Sequence, residues 1–179
     1  MSNHANNQYG LSLIEVLISL VVLSVGLLGI AGMQATGLRN NHSAYTKTQA
    51  SALAVDMADR IRANAAAAAN YVGLDTANSA SFPAPTATNC KVAATNCSPA
   101  EMAIYDKFQW SRPIVSATAP LLPGGRGRIT QTDTAAGIVF TVTLFWLEPG
   151  YQGTRDDCDG NAATTVTSDT ACLAMSFQL

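Results

Sequence analysis

The sequence predicts an α+β fold. A long N-terminal helix, transmembrane in its first half, packs through its second half on a small head built on an antiparallel sheet. Three observations carry this. Residues 11–33 form an apolar run whose one ionisable residue is Glu15. From Gln34 to Asn70 there is no proline, and Leu38, Tyr45, Leu53, Met57 and Ile61 recur at helical spacing. After Ser98 come a helix-start signature and then segments rich in Val, Thr, Phe and Trp, separated by turns.

The apolar run has 23 residues. At the α-helical rise it reaches about 34 Å, enough to cross a hydrocarbon core of about 30 Å. A carboxylate inside such a segment costs about 2.5–3.5 kcal/mol and marks a functional position. No basic residue lies within reach of Glu15 along its own helix, so its partner is expected on another chain. An ordinary secretory signal has an apolar region of about 7–15 residues behind a basic flank. This run is longer and lacks that flank, although Ala31-Gly32-Met33-Gln34-Ala35 imitates a small-residue cleavage site. A plain membrane anchor explains the length but not Glu15. Gly26, Gly29, Gly32 and Gly37 weaken the helix by up to about 1 kcal/mol each and allow close packing or local melting.

Beyond the span, the stripe from Leu38 to Ile61 is expected to face the head as core. Asp56 with Arg60 and Asp59 with Arg62 stand at i,i+4 and i,i+3, and the Ala65–Ala69 run favours helix. One helix is therefore expected from Leu11 to about Asn70, on the order of 90 Å long. Tyr71 to Thr95, with Pro83 and Pro85, reads as a loop. Ser98-Pro99-Ala100-Glu101 supplies a cap, a proline for the first turn and a glutamate three residues on, predicting a short helix to about Trp110. Leu122-Pro123-Gly124-Gly125 is a turn. Gly127–Thr132 and Ile138–Leu147 read as strands of a hairpin across Thr134–Gly137, and Leu173–Leu179 as a last strand. Phe140 and Trp146 share one face of the second strand, with Phe145 on the other; most of the aromatics, Trp110 and Tyr151 included, are expected in the core.

The chain has 179 residues and a formal net charge of −2, so no nucleic-acid footprint is visible, and Arg126 and Arg128 read as surface residues. Cys90, Cys97, Cys158 and Cys172 all follow the span. An even count in an exported domain reads as disulfides. Three connectivities are possible, and proximity favours Cys90–Cys97 with Cys158–Cys172. No Cys-x-x-Cys occurs, and the two histidines, His4 and His42, are far from the cysteines, so no metal site is indicated. No catalytic or phosphate-binding motif is present and no cofactor is implied. The acidic cluster Asp156-Asp157-Cys158-Asp159-Gly160-Asn161 lacks the spacing of a calcium loop and reads as a turn around a disulfide.

Gly10-Leu11-Ser12-Leu13-Ile14-Glu15-Val16, followed at once by the span, resembles the class III signal of type IV prepilins. The resemblance implies cleavage by a prepilin peptidase between Gly10 and Leu11, N-methylation of Leu11, and an assembly role for Glu15, the fifth mature residue. It divides the chain into a leader (1–10), a transmembrane and assembly segment (11–33), an amphipathic helix half (34–70) and a periplasmic head (71–179). The element order resembles the type IV pilin fold. Three further blocks resemble the PilV-type minor pilins: Ala54-Val55-Asp56-Met57-Ala58-Asp59-Arg60-Ile61-Arg62-Ala63-Asn64, Cys97-Ser98-Pro99-Ala100-Glu101-Met102-Ala103-Ile104-Tyr105-Asp106 and Leu122-Pro123-Gly124-Gly125-Arg126-Gly127. That branch implies no enzyme. It implies a pilus component that helps initiate or cap assembly, supporting twitching motility, adhesion or DNA uptake. The implied partners are the major pilin, other minor pilins, the assembly platform and the inner membrane. A pseudopilin of type II secretion and a tip adhesin or DNA-binding module are the alternatives.

Overall fold

The computed structural model describes residues 12–77, 90–91, 96–150 and 169–179. The elements are α1 (Leu13–Ala63), a 3₁₀ helix (Ala65–Tyr71), α2 (Pro99–Val115), β1 (Arg126–Thr134), β2 (Gly137–Leu147) and β3 (Thr170–Gln178). The chain divides into two compact units, one ending at His42 and one running from Ser43 to Leu179.

The described part of the first unit is helix from Leu13 on. Its apolar window has a mean hydropathy of 2.6 and no buried residue, and it is long and apolar enough to cross a membrane. Its hydroxyls turn back on their own helix: Ser19 Oγ donates to the Glu15 carbonyl, Ser24 Oγ to Val21 and Thr36 Oγ1 to Gly32. Such self-satisfaction is what a nonaqueous medium demands of polar side chains.

The second unit is a head with one core. Its sheet is antiparallel in the order β1-β2-β3. One sheet face carries Phe140, Val142, Leu144 and Trp146 with Ala171 and Phe177, all buried, and Leu53, Met57 and Ile61 of α1 complete the same cluster. Ala50, Ala54 and Ala58 of α1 are also fully buried there. Alanines four apart lie on one helix face and keep its buried surface flat, which lets neighbouring elements approach closely. Phe145 lies on the opposite face of β2, covered by the guanidinium groups of Arg126 and Arg128 at 5.5 and 5.8 Å from its ring centre. The hairpin turns through Ala135-Ala136, with Thr134 opposite a Gly137 at φ 127°. Phe140, Phe145, Trp146 and Trp110 are all buried; Tyr151 lies outside the described residues.

α2 starts as its sequence dictates. The Ser98 hydroxyl accepts from the Glu101 amide while the Glu101 carboxylate accepts from the Ser98 amide, with Pro99 in the first turn. The helix runs five residues past the expected end at Trp110 and takes in Pro113. Proline's φ suits a helix, and its missing donor removes the bond to the Gln109 carbonyl, a loss confined to the last turn. Buried Ser111 and Ile114 hold that last turn to the core. Trp110 lies flat beneath the hairpin. Its indole donates to the Leu53 carbonyl at 2.8 Å, and a Cβ on Gly127 would stand 2.5 Å from its ring. Gly124, at φ +56°, packs its Cα side against Leu147, and a Cβ on Gly125 would stand 2.9 Å from the Leu122 Cβ, so all three glycines of the Leu122–Gly127 block answer a steric demand.

Three expectations are corrected. The α-helix ends at Ala63, not Asn70, and Ala65–Tyr71 is 3₁₀. Asn64 leaves helical geometry at φ −120°, ψ 45°, and its side-chain amide donates to Tyr71 Oη and to the Pro99 carbonyl. That tertiary demand overrides the helix preference of the alanine run. The segment after Tyr71 is not simply a loop. Gly73 donates to the Ile129 carbonyl, Ile129 to Leu74 and Thr76 to Gly127, so residues 73–76 run along the outer side of β1, and Tyr71 and Leu74 are buried. The expected core stripe stops short as well: Leu53, Met57 and Ile61 are buried, but Leu38 is 71% and Tyr45 56% exposed.

Candidate functional site: the apolar helix and its carboxylate

Glu15 sits in the first turn of α1, where its amide donates to the Ser12 carbonyl at 2.9 Å. The positive end of the helix dipole stabilises an anion here by about 0.3–1 kcal/mol. The carboxylate is exposed and, among the described residues, has no side-chain hydrogen bond or ion pair. Around it Leu13 is 81%, Ile14 64% and Leu17 55% exposed, and exposure of this order continues to Met33 at 69%. An apolar surface of this length and continuity is a surface for lipid or for other apolar helices. Gly10 and Leu11 lie outside the described residues.

The head binds its charges internally. Arg60 joins both carboxylates near it, with Nε 3.1 Å from Asp56 and Nη1 2.8 Å from Asp106. Asp106 also accepts from Tyr71 Oη at 2.6 Å. Burial and this bond push the Tyr71 phenol well above its ordinary pKa. The group ties α1, the 3₁₀ helix and α2 together at one point. On the far side of the head, Arg126 forks onto Asp75 at 2.8 and 2.5 Å, and Arg128 lies 3.6 Å from the same carboxylate. The Arg126 hydrogen bond holds Asp75 below the usual carboxylate range. Both arginines thus share the single Asp75 carboxylate. Glu148, after β2, accepts from Ser43 Oγ at 2.5 Å and from the Trp146 indole at 3.2 Å.

Cys90 and Cys97 form a disulfide with Cα atoms 5.8 Å apart, directly before the α2 cap. Cys172 is disulfide-bonded too; its expected partner Cys158 and the acidic cluster around it lie outside the described residues. Among the described residues no group of His, Cys, Asp and Glu is arranged to hold a metal ion.

Sequence reasoning singled out Glu15 and found both intrahelical ion pairs and Cys90–Cys97, but missed Asp106, Asp75 and Asn64. For Asp106 a signal existed. Ala103, Asp106, Trp110 and Ile114 stand on one face of α2 at intervals of three and four, and a carboxylate on an apolar stripe announces a buried partner. Asp75 and Asn64 have no comparable local signal.

Residues 32–108 match the family described as "Tt1218-like: Type IV pilin Tt1218". Residues 5–31 match the "Prokaryotic N-terminal methylation motif". No curated protein and no solved structure matches the chain. The first match runs from the middle of α1 through the Arg60–Asp106–Tyr71 group; the second contains Glu15 and most of the apolar window. A prepilin motif implies, in general terms, a prepilin peptidase and pilus-assembly partners. The long apolar helix followed by a three-stranded antiparallel sheet is the type IV pilin fold, and over residues 32–108 the chain is similar to the type IV pilin family.

Proposed function

We propose that this chain is a PilV-type minor pilin that helps initiate or cap a type IV pilus and so supports twitching motility, adhesion or DNA uptake. The observation that carries the reading is the contrast within one chain. Among the described residues, a head in which no buried polar side chain lacks a partner follows an apolar window with no buried residue and one unpartnered carboxylate. The minor-pilin branch is supported by the blocks 54–64, 97–106 and 122–127, each of which has a physical role in the fold. The first two build the Arg60–Asp106 ion pair and the α2 cap, and the third the close approach to Trp110 and Leu147.

In this reading residues 1–10 are a leader removed after Gly10, and Leu11 becomes the methylated N-terminus. Residues 11–33 hold the chain in the inner membrane with the head in the periplasm, then pack among other pilins. Residues 34–70 carry the amphipathic rest of α1, to Ala63, and most of the 3₁₀ helix after it, and residues 71–179 form the head. The Glu15 carboxylate neutralises the Leu11 amine of its own or a neighbouring subunit, which a water-poor bundle rewards because an unpaired charge there is costly. Cys158 pairs with Cys172.

Intact mass of the chain purified from its host tests the processing: the expected N-terminus is Leu11, and a start after Ala35 or at Met1 contradicts it. Deleting the gene distinguishes a pilus role from a secretion role. The expected result is loss of surface pili and twitching with unchanged release of exported proteins; accumulation of those proteins in the periplasm instead identifies a secretion pseudopilin.

A further inference from the structure

At the C-terminal end of α2, Gln109, Arg112, Pro113, Ser116 and Ala119 line an open cavity of about 350 Å³. Among the described arginines of the head, Arg60, Arg62, Arg126 and Arg128 each reach a carboxylate within 4 Å. Arg112 is the exception: its guanidinium lies 5.9 Å from the Phe108 ring centre and meets no carboxylate among the described residues. The last turn of a helix favours a cation, which suits Arg112 at this end, and its exposed guanidinium lies within cation–π reach of Phe108. The Gln109 side-chain amide, half-buried in the same cavity, makes no hydrogen bond among the described residues. The Ser116 hydroxyl accepts from the Ala119 amide at 3.3 Å and shapes the rim.

We propose that this cavity binds a small oxyanion-bearing ligand, a carboxylate or a phosphate, held by the Arg112 fork with the Gln109 amide as second donor. The volume suits a single sugar acid or phosphorylated small molecule rather than a folded partner. A guanidinium offers two parallel N–H bonds to either oxyanion, which an ammonium cannot match. Pro113 and Ala119 supply an apolar wall for the ligand's carbon skeleton. This site goes beyond the filament role and does not depend on it.

The test is titration of the full-length, isotope-labelled chain in detergent micelles with sodium glucuronate, sodium phosphate and neutral glucose, followed by NMR. Saturable shifts are expected at the Arg112 Nε–H and the Gln109 side-chain amide. Arg112→Gln weakens the binding at least about ten-fold, the scale of one lost charge-assisted contact, and Arg112→Lys restores part of it. Saturation by glucuronate alone assigns a carboxylate ligand, by phosphate alone a phosphate ligand, and by both a general oxyanion site. Shifts that do not saturate, that glucose reproduces, or that survive Arg112→Gln overturn the proposal. Arg112 is exposed and outside the core cluster, so the variants keep the fold, and unchanged spectra elsewhere verify it.

Discussion

The two units of this chain solve opposite problems. From Ser43 on, apolar side chains converge on one core, and no buried side-chain nitrogen or oxygen among the described residues lacks a partner. From Leu13 to His42, the large apolar side chains are exposed, and the one acidic residue is unpartnered among the described residues. Mutations in the head therefore act on stability, whereas mutations in the apolar half act on what the chain joins. Both units share one helix, so the difference comes from what each half meets and not from the local backbone.

The comparison breaks most sharply at Trp110. Its indole is 1% exposed and bonded to the Leu53 carbonyl. Trp110→Ala is expected to cost about 3–5 kcal/mol from packing alone, read by denaturant unfolding of the full chain in detergent. A loss under about 1 kcal/mol would mean that the head does not rest on this contact.

Asp106→Ala comes next. It strands the Tyr71 hydroxyl and removes one of the two carboxylates on Arg60. Hydrogen bonds to charged groups set the expected loss at about 2–3 kcal/mol, measured in the same assay. Tyr71→Phe should then cost less in the Asp106→Ala background than in the wild type, because the Tyr71–Asp106 bond is already gone and only the Asn64 bond to Tyr71 Oη remains to be lost.

A smaller effect sharpens the comparison by pH. Asp75 has its carboxyl held down by Arg126. A depressed carboxylate contributes its stability in full above the unfolded pKa and loses it as pH falls through the folded value. Wild-type unfolding should weaken through the acid range, and Asp75→Asn should flatten part of that slope while being less stable at neutral pH. Identical acid slopes in the two proteins would remove Asp75 from the account.

The parts legible in the sequence are those set by neighbours in the chain. The α2 cap follows from Ser98, Pro99 and Glu101, the β hairpin from alternation around Thr134–Gly137, and the Cys90–Cys97 bridge from proximity. The parts that escaped are set at a distance. Asn64 ends α1 because its amide is needed by Tyr71 and by the Pro99 carbonyl 35 residues on. Gly127 is glycine because Trp110 occupies the space where a Cβ would be. Leu38 and Tyr45 fit the helical stripe but lie where the core no longer reaches, so periodicity alone misassigned them. Glu15 was legible for the opposite reason: a lone charge in an apolar run needs no fold to be conspicuous.

The most direct test of the division is Glu15→Ala in the native host, scored in parallel for membrane level, processed mass, unfolding of the head and content in sheared pili. The account predicts normal membrane insertion, normal processing and an unchanged head. It predicts a clear fall in incorporation into pili and in recovery of partner pilins. Normal pilus content and motility would contradict it, leaving the apolar helix as an anchor and its carboxylate as no assembly contact.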